Sequence, residues 1–183
     1  MEIYKPVGES QTMLTELMIP AYANFGGKIH GGIIMGLMDK VAYACAAKHA
    51  AAYCVTASVD TIDFLASVEV GELVSLMASV NYVGKTSLVV GIRVVSENVK
   101  TKELKHTNTS YFTMVAMDDN NKPVQVPGLI LKTNEEIRRF FQAFHRKELR
   151  AYYRKEEKRM KTDFETAESL ELLKGQRCII EIN

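Results

Sequence analysis

The run Asn24-Phe25-Gly26-Gly27-Lys28-Ile29-His30-Gly31-Gly32 leads straight into a small-residue apolar stretch that carries Asp39. An amide side chain, a glycine-rich turn and a helix start fall within a few residues of one another. A carboxylate follows about two helical turns later. Free backbone N–H groups at a helix start suit a phosphate or a developing oxyanion. A carboxylate among apolar residues is costly unless it has a partner or a task. Thr56 and Ser58 are hydroxyl nucleophiles in principle, but no GxSxG elbow surrounds them, and they read as strand residues lining a site. His30 reads as a residue that packs or hydrogen-bonds at the turn, because no second catalytic partner sits beside it.

The elements that position these groups follow from the pattern. Thr12 to Ile19 is a short β-like run ended by Pro20, and Ala21 to Lys28 is a turn-rich connection. His30 to about Ala52 reads as one long helix, rich in alanine, free of proline and apolar on most of its circumference. Such a helix is expected in the middle of a fold. Gly32, Gly36, Ala42 and Ala46 are expected to form a groove of small side chains against which something packs. The texture then turns to strands: Val55 to Phe64, Leu73 to Val83, Leu88 to Val99 and His106 to Met117. Turns are expected at Val68 to Glu72, at Gly84-Lys85-Thr86 and at Asp118 to Pro123. Asp60 and Asp63, three apart on a strand, are expected to face opposite sides. One buried helix with a strand before it and four after it implies an α+β domain, a sheet wrapped around a helix, over residues 1–133. From Asn134 to residue 183 the chain becomes a charged helical extension expected to pack on that domain. Glu135 to Lys161 forms a helix with a thin stripe of Phe140, Phe141, Phe144 and Leu149, whose many basic residues read as a solvated face. A second short helix from Phe164 to Lys174 and a final edge strand or frayed end from Cys178 to Ile182 complete the reading.

Composition excludes several classes. With 183 residues, 47% hydrophobic and 25% charged, the chain suits one globular domain plus an appendage. A net charge of +1 argues against a nucleic-acid partner. Asp39, Lys40, Lys48 and His49 interrupt the apolar stretch, so no membrane span is expected. The N-terminus has no signal pattern, and three cysteines at wide spacing fit reduced thiols in a cytoplasm. Four histidines with no HxxxH or HxH spacing give no metal site.

Taken in order, Asn24-Phe-Gly-Gly-Lys-Ile-His30-Gly-Gly32, Leu37-Met-Asp39, Val55-Thr-Ala-Ser-Val-Asp60, Phe64, Val83-Gly-Lys-Thr-Ser87, Phe112-Thr-Met-Val-Ala116 and Val124-Gln-Val-Pro127 resemble the hotdog-fold acyl-CoA thioesterases. Each word alone is weak, but the ordered set, from about residue 10 to 130, is specific. The resemblance implies a central helix wrapped by an antiparallel sheet, dimers that pair sheets edge to edge, and trimers of those dimers. It implies hydrolysis of fatty acyl-CoA to a free acid and coenzyme A, with no cofactor beyond the coenzyme A of the substrate. It places Asn24 and Asp39 as the catalytic pair. It sets Gly84, Lys85, Thr86 and Ser87 near the coenzyme A phosphates, with His30, Ser58 and Phe64 at the substrate. Lys40 stands where many relatives have an acidic residue; it points about 100° away from Asp39 and is expected to matter little. The resemblance fades after about residue 150.

Thioester hydrolysis needs a nucleophile, a place for the oxyanion and a cradle for a large anionic leaving group. Asp39 can deprotonate water or attack directly to give an anhydride. Asn24 can hold the water or the carbonyl. The N–H groups of Gly31 and Gly32 are placed for the oxyanion, and glycine there lets substrate approach the backbone. A hotdog dehydratase would depend on a histidine with an acidic partner, against which Asn24 and Asp39 argue. A non-catalytic acyl-CoA-binding regulator would need an effector segment, and only about ten residues precede the first strand.

Overall fold

A computed structural model describes residues 3–162 and 171–181. It falls into two compact units, one ending at Ala143 and one beginning at Phe144. In the first, the elements run β1 (Tyr4–Pro6), α1 (Val7–Ser10), β2 (Thr12–Leu17), a 3-10 turn (Pro20–Tyr22), α2 (Gly31–Ala50), β3 (Tyr53–Val59), β4 (Leu73–Val83), β5 (Ser87–Glu97), β6 (Leu104–Met117) and β7 (Gly128–Ile130). Helix α3 (Asn134–Thr162) begins in this unit.

Five strands form one antiparallel sheet in the order β2-β4-β5-β6-β3. Its concave face carries Val74, Leu76, Val80, Leu88, Val90, Ile92, Phe112 and Met114, all buried. Helix α2 lies there by Ile34, Leu37, Met38, Val41, Ala42, Cys45 and Ala46, spaced by three and four residues. This is the helix wrapped by a sheet that the hotdog resemblance implies. The sequence pattern did not reveal β1, α1 and β7. β1 and β7 pair in parallel as a small separate ladder whose pieces are too short to show periodicity.

Two expectations about α2 need correction. The helix is not buried all round: Met35, Gly36, Asp39, Lys40 and Tyr43 form an exposed stripe. Nor do its small residues form one groove. Gly36 and Ala42 are six residues apart, about 240° around the axis. Ala42 and Ala46 are therefore buried in the core, while a side chain at Gly36 would meet open space. The strand expected to reach Phe64 stops at Val59, so Asp60 and Asp63 lie on an extended segment rather than opposite faces of a strand. That segment is laced to β6: Asp60 N donates to Tyr111 O at 2.9 Å, Leu65 N to Thr107 O at 2.9 Å, and Asn108 Nδ2 to Asp63 O at 3.1 Å.

Helix α3 starts with a capping box: Glu136 N donates to Thr133 Oγ1 and Thr133 N to Glu136 Oε2, both at 3.1 Å. Its first turns pack on the outer sheet face, with the Phe140 ring 5.1 Å from that of Tyr82 and Ala143 buried. In the second unit the helix continues to Thr162 and exposes Leu149, Tyr152, Tyr153 and Met160. Of the expected helix at Phe164 to Lys174, residues 164–170 lie outside the described residues, and 171–173 are helical. Residues 178–181 form no strand, and Ile182 lies outside the described residues. Cys45 and Cys54 are buried free thiols and Cys178 an exposed one. Burial pushes the Cys45 thiol up to about 12 and that of Cys54 up to about 11. Among the described residues no helix is long and apolar enough to cross a membrane, and no group of histidine, cysteine and acidic side chains could hold a metal.

Candidate active site

Asp39 stands on the open stripe of α2, and a residue of β3 meets it there. Thr56 Oγ1 donates to Asp39 Oδ1 at 2.6 Å. Thr56 shares a strand face with buried Cys54, two residues earlier, and so points toward the helix. Immediately after Thr56 the β3–β6 register slips, leaving Ala57 as a bulge before Ser58 opposes Thr113. A bulge bends its strand and re-aims the neighbouring side chain. Ser58, beyond the bulge, is half-buried and makes no hydrogen bond to Asp39 among the described residues.

The start of α2 is built tightly. His30 is its N-cap, and the His30 Nδ1 accepts the Gly32 N–H at 3.0 Å. His30 thus takes the structural role expected of it at the turn, and the Gly32 amide is engaged. The Gly31 amide has no hydrogen-bond acceptor among the described residues. Phe64 lies over Gly31: a Cβ there would sit 3.1 Å from the end of the Phe64 ring, which would have to give way slightly. The β6 lacing described above delivers Phe64 to that place.

Asn24 sits in an exposed tight loop and folds onto it. Its Oδ1 accepts the Gly26 N–H at 2.9 Å and the Lys28 N–H at 3.2 Å, and its own N–H donates to Lys28 O at 2.7 Å. The carbonyl end of the amide is committed to the loop, so the Nδ2 donor end is the one left to face a substrate. No hydrogen bond joins Asn24 to Asp39 among the described residues.

The expected phosphate turn forms as a braced loop. Gly84 N donates to Ser87 O at 2.8 Å, Ala116 N to Thr86 O at 3.0 Å and Val126 N to Lys85 O at 3.0 Å. A Cβ at Gly84 would lie 2.9 Å from the Ser87 hydroxyl. The Lys85 side chain is exposed and has no ion-pair partner among the described residues. A separate cavity of about 610 Å³ lies on the outer sheet face among Asn81, Arg93, Tyr111 and Arg138, and none of the expected site residues lines it.

Residues 26–103 match the family model described as Thioesterase superfamily. The Helicobacter pylori protein VdlD is 47% identical over 141 residues, which span 77% of this chain and 80% of that protein. The chain belongs to the thioesterase superfamily. A hexameric acyl-CoA thioesterase superimposes with a TM-score of 0.80 at 40% identity, covering 82% of this chain and 97% of that one. The acyl-CoA hydrolase of Staphylococcus aureus, solved with butyryl coenzyme A, coenzyme A and coenzyme A disulfide, superimposes with a TM-score of 0.79 at 32% identity, covering 86% of this chain and 96% of that one. Alanine mutants of one asparagine, one aspartate and one threonine of that Staphylococcus enzyme have also been solved.

Two features escaped the sequence reading. Thr56 was expected only as a strand residue lining the site, and its bond to Asp39 was not foreseen. Glu72 is a buried carboxylate, and its signal was an acid directly before the apolar run Leu73-Val74.

Proposed function

We propose that this thioesterase-superfamily protein hydrolyses fatty acyl-CoA to a free fatty acid and coenzyme A, with Asp39 as general base. The Thr56–Asp39 hydrogen bond carries the reading: a strand hydroxyl fixes one carboxylate oxygen and leaves the other to take a proton from water. The asparagine, aspartate and threonine mutated in the Staphylococcus enzyme have the same order and spacing as Asn24, Asp39 and Thr56. Water attacks the thioester carbonyl, the C–S bond breaks, and the thiolate leaves to be protonated as coenzyme A. The Gly31 N–H, at the positive end of α2, receives the oxyanion, and Asn24 Nδ2 holds the water or the carbonyl. Lys85, Thr86 and Ser87, with Gly84 making the turn, hold the phosphates of the leaving group. Ser58 and Phe64 line the acyl end, and His30 holds the helix start that presents Gly31.

The working unit in this reading is a homodimer, arranged as a trimer of dimers. β3 is an edge strand in this chain, and an open edge invites pairing with another. Beside it Met35, Tyr43 and Tyr53 leave apolar surface exposed. Two β3 edges paired about a two-fold axis cover this surface and set two α2 helices side by side. Asp39 lies seven residues beyond Gly32, roughly 10 Å along the helix, away from the loop that holds Asn24. Asn24 of one subunit with Asp39 of the other closes that gap. Two buried, free thiols fit a cytoplasmic setting.

Release of coenzyme A from acetyl-, butyryl- and palmitoyl-CoA, followed with a thiol reagent, tests the function. Hydrolysis of at least one acyl length is expected. Tight acyl-CoA binding with no thiol release at any length would make the protein a binding regulator instead.

A further inference from the structure

The loop carrying Asn24 is gripped at both ends by one turn, residues 68–72. Before the loop, Met18 N donates to Glu72 O at 2.9 Å and Gly71 N to Met18 O at 2.7 Å. After it, Ile29 N donates to Val68 O at 2.9 Å, and Lys28 bridges Glu69 through the backbone and by an ion pair of 2.5 Å. Lys28 is also the residue whose N–H and C=O hold Asn24.

The turn itself is organised around the Glu72 carboxylate, which is 3% exposed. Glu72 Oε1 meets Lys105 Nζ at 2.7 Å, and Oε2 accepts the Glu69 N–H at 3.0 Å and the Ser96 hydroxyl. Lys105 Nζ also donates to Ser67 O at 3.2 Å. A carboxylate is an expensive way to fill a buried position, and removing it alone would leave Lys105, the Ser96 hydroxyl and the Glu69 N–H without their acceptor. What the carboxylate adds is direction: its donors come from the turn, from β5 and from β6, and they leave the turn one arrangement.

We propose that Glu72 is a positioning residue for Asn24, acting through Glu69 and Lys28 to set where the Asn24 amide stands over the substrate. This rests on Asn24 being the catalytic amide. A displacement of about 1 Å at a reacting group can cost two orders of magnitude, so a loose loop reads out in kcat.

The test is a double-mutant cycle in the full-length protein, with melting temperature recorded for every variant. Glu72→Gln is expected to lower kcat about tenfold with KM little changed. Added to Asn24→Ala, it is expected to cost no more than about twofold further, because the amide it positions is gone. An equal loss in both backgrounds would make Glu72 a merely structural residue and overturn the proposal, as would unchanged kcat in folded Glu72→Gln. If Glu72→Gln does not fold, the exposed link Lys28→Met carries the same cycle. It is expected to lower kcat only where Asn24 is present, and additivity there overturns the proposal. Wild-type turnover in Asn24→Ala alone would sink the catalytic reading of Asn24, and the Glu72 proposal with it. That result is separate from a cycle in which Asn24 matters and Glu72 does not.

Discussion

Thr56 Oγ1 donates a 2.6 Å hydrogen bond to Asp39 Oδ1, joining the edge strand β3 to the exposed stripe of α2. The bond uses the one proton the hydroxyl has, so its 3.5 Å approach to Met114 Sδ is a packing contact. Thr56→Val keeps the shape and removes the donor. Steady-state hydrolysis is expected to fall about tenfold in kcat, the size of one hydrogen bond to a charged group, while Thr56→Ser keeps most of the activity. A loss in Thr56→Ser with wild-type rates in Thr56→Val would mean that the methyl group, not the hydroxyl, matters.

Lys85→Ala is expected to raise KM for acyl-CoA with kcat little changed. Its exposed ammonium stands on a turn whose backbone is braced from β6 and from Val126, so the charge can be removed without moving the turn. Uniform binding lost from ground and transition states behaves this way. With acyl-pantetheine, which lacks the nucleotide, the penalty is expected to vanish. The same KM penalty on both substrates would place Lys85 away from the phosphates.

His49 predicts a pH effect on stability. Its ring is fully buried near the end of α2, and Nε2 meets Pro127 O at 2.9 Å. A carbonyl only accepts, so Nε2 carries the proton and the buried Nδ1 is left bare, without a partner among the described residues. Burial holds the pKa of His49 below its ordinary value, against the raising effect of the Pro127 bond. With the folded-state pKa below the unfolded one, the unfolded chain binds more protons in between. Stability from this site is therefore complete above the ordinary histidine range and is lost as pH falls through about 6.5 toward the folded-state value. The melting temperature is expected to drop over that window, and His49→Gln is expected to flatten the drop. A wild-type melting temperature that holds constant from neutral pH downward through the window would contradict this.

The residues proposed to do chemistry were more legible than the surfaces proposed to join subunits. Asn24, Gly31 and Asp39 stand out because an amide, a glycine and an acid are unusual company for a helix start. β4 spans Leu73 to Val83 as the pattern leads one to expect, although its register slips between Val80 and Tyr82. The partner of Asp39 was not legible, because a threonine in a β-branched run carries no mark of the helix it faces, and the bulge after it has no sequence signature. The exposure of α2 was misread for a related reason. Met35 and Tyr43 look like core residues, but the five-stranded sheet covers only one side of the helix. Apolar residues left exposed on a helix have the same composition as those that meet the chain's own sheet.

Mixing two inactive variants tests most directly whether Asn24 and Asp39 meet in a site shared between subunits. Asn24→Ala and Asp39→Ala are each expected to lose hydrolysis by a factor on the order of 10²–10⁴ while staying folded. Unfolded together and refolded, they form mixed dimers with one doubly broken site and one site carrying both native residues. Activity is therefore expected to reappear, approaching a quarter of the wild-type rate per subunit at equal mixing. If mass spectrometry shows that subunits have exchanged and the rate stays at that of the separate variants, Asn24 and Asp39 do not meet across a dimer.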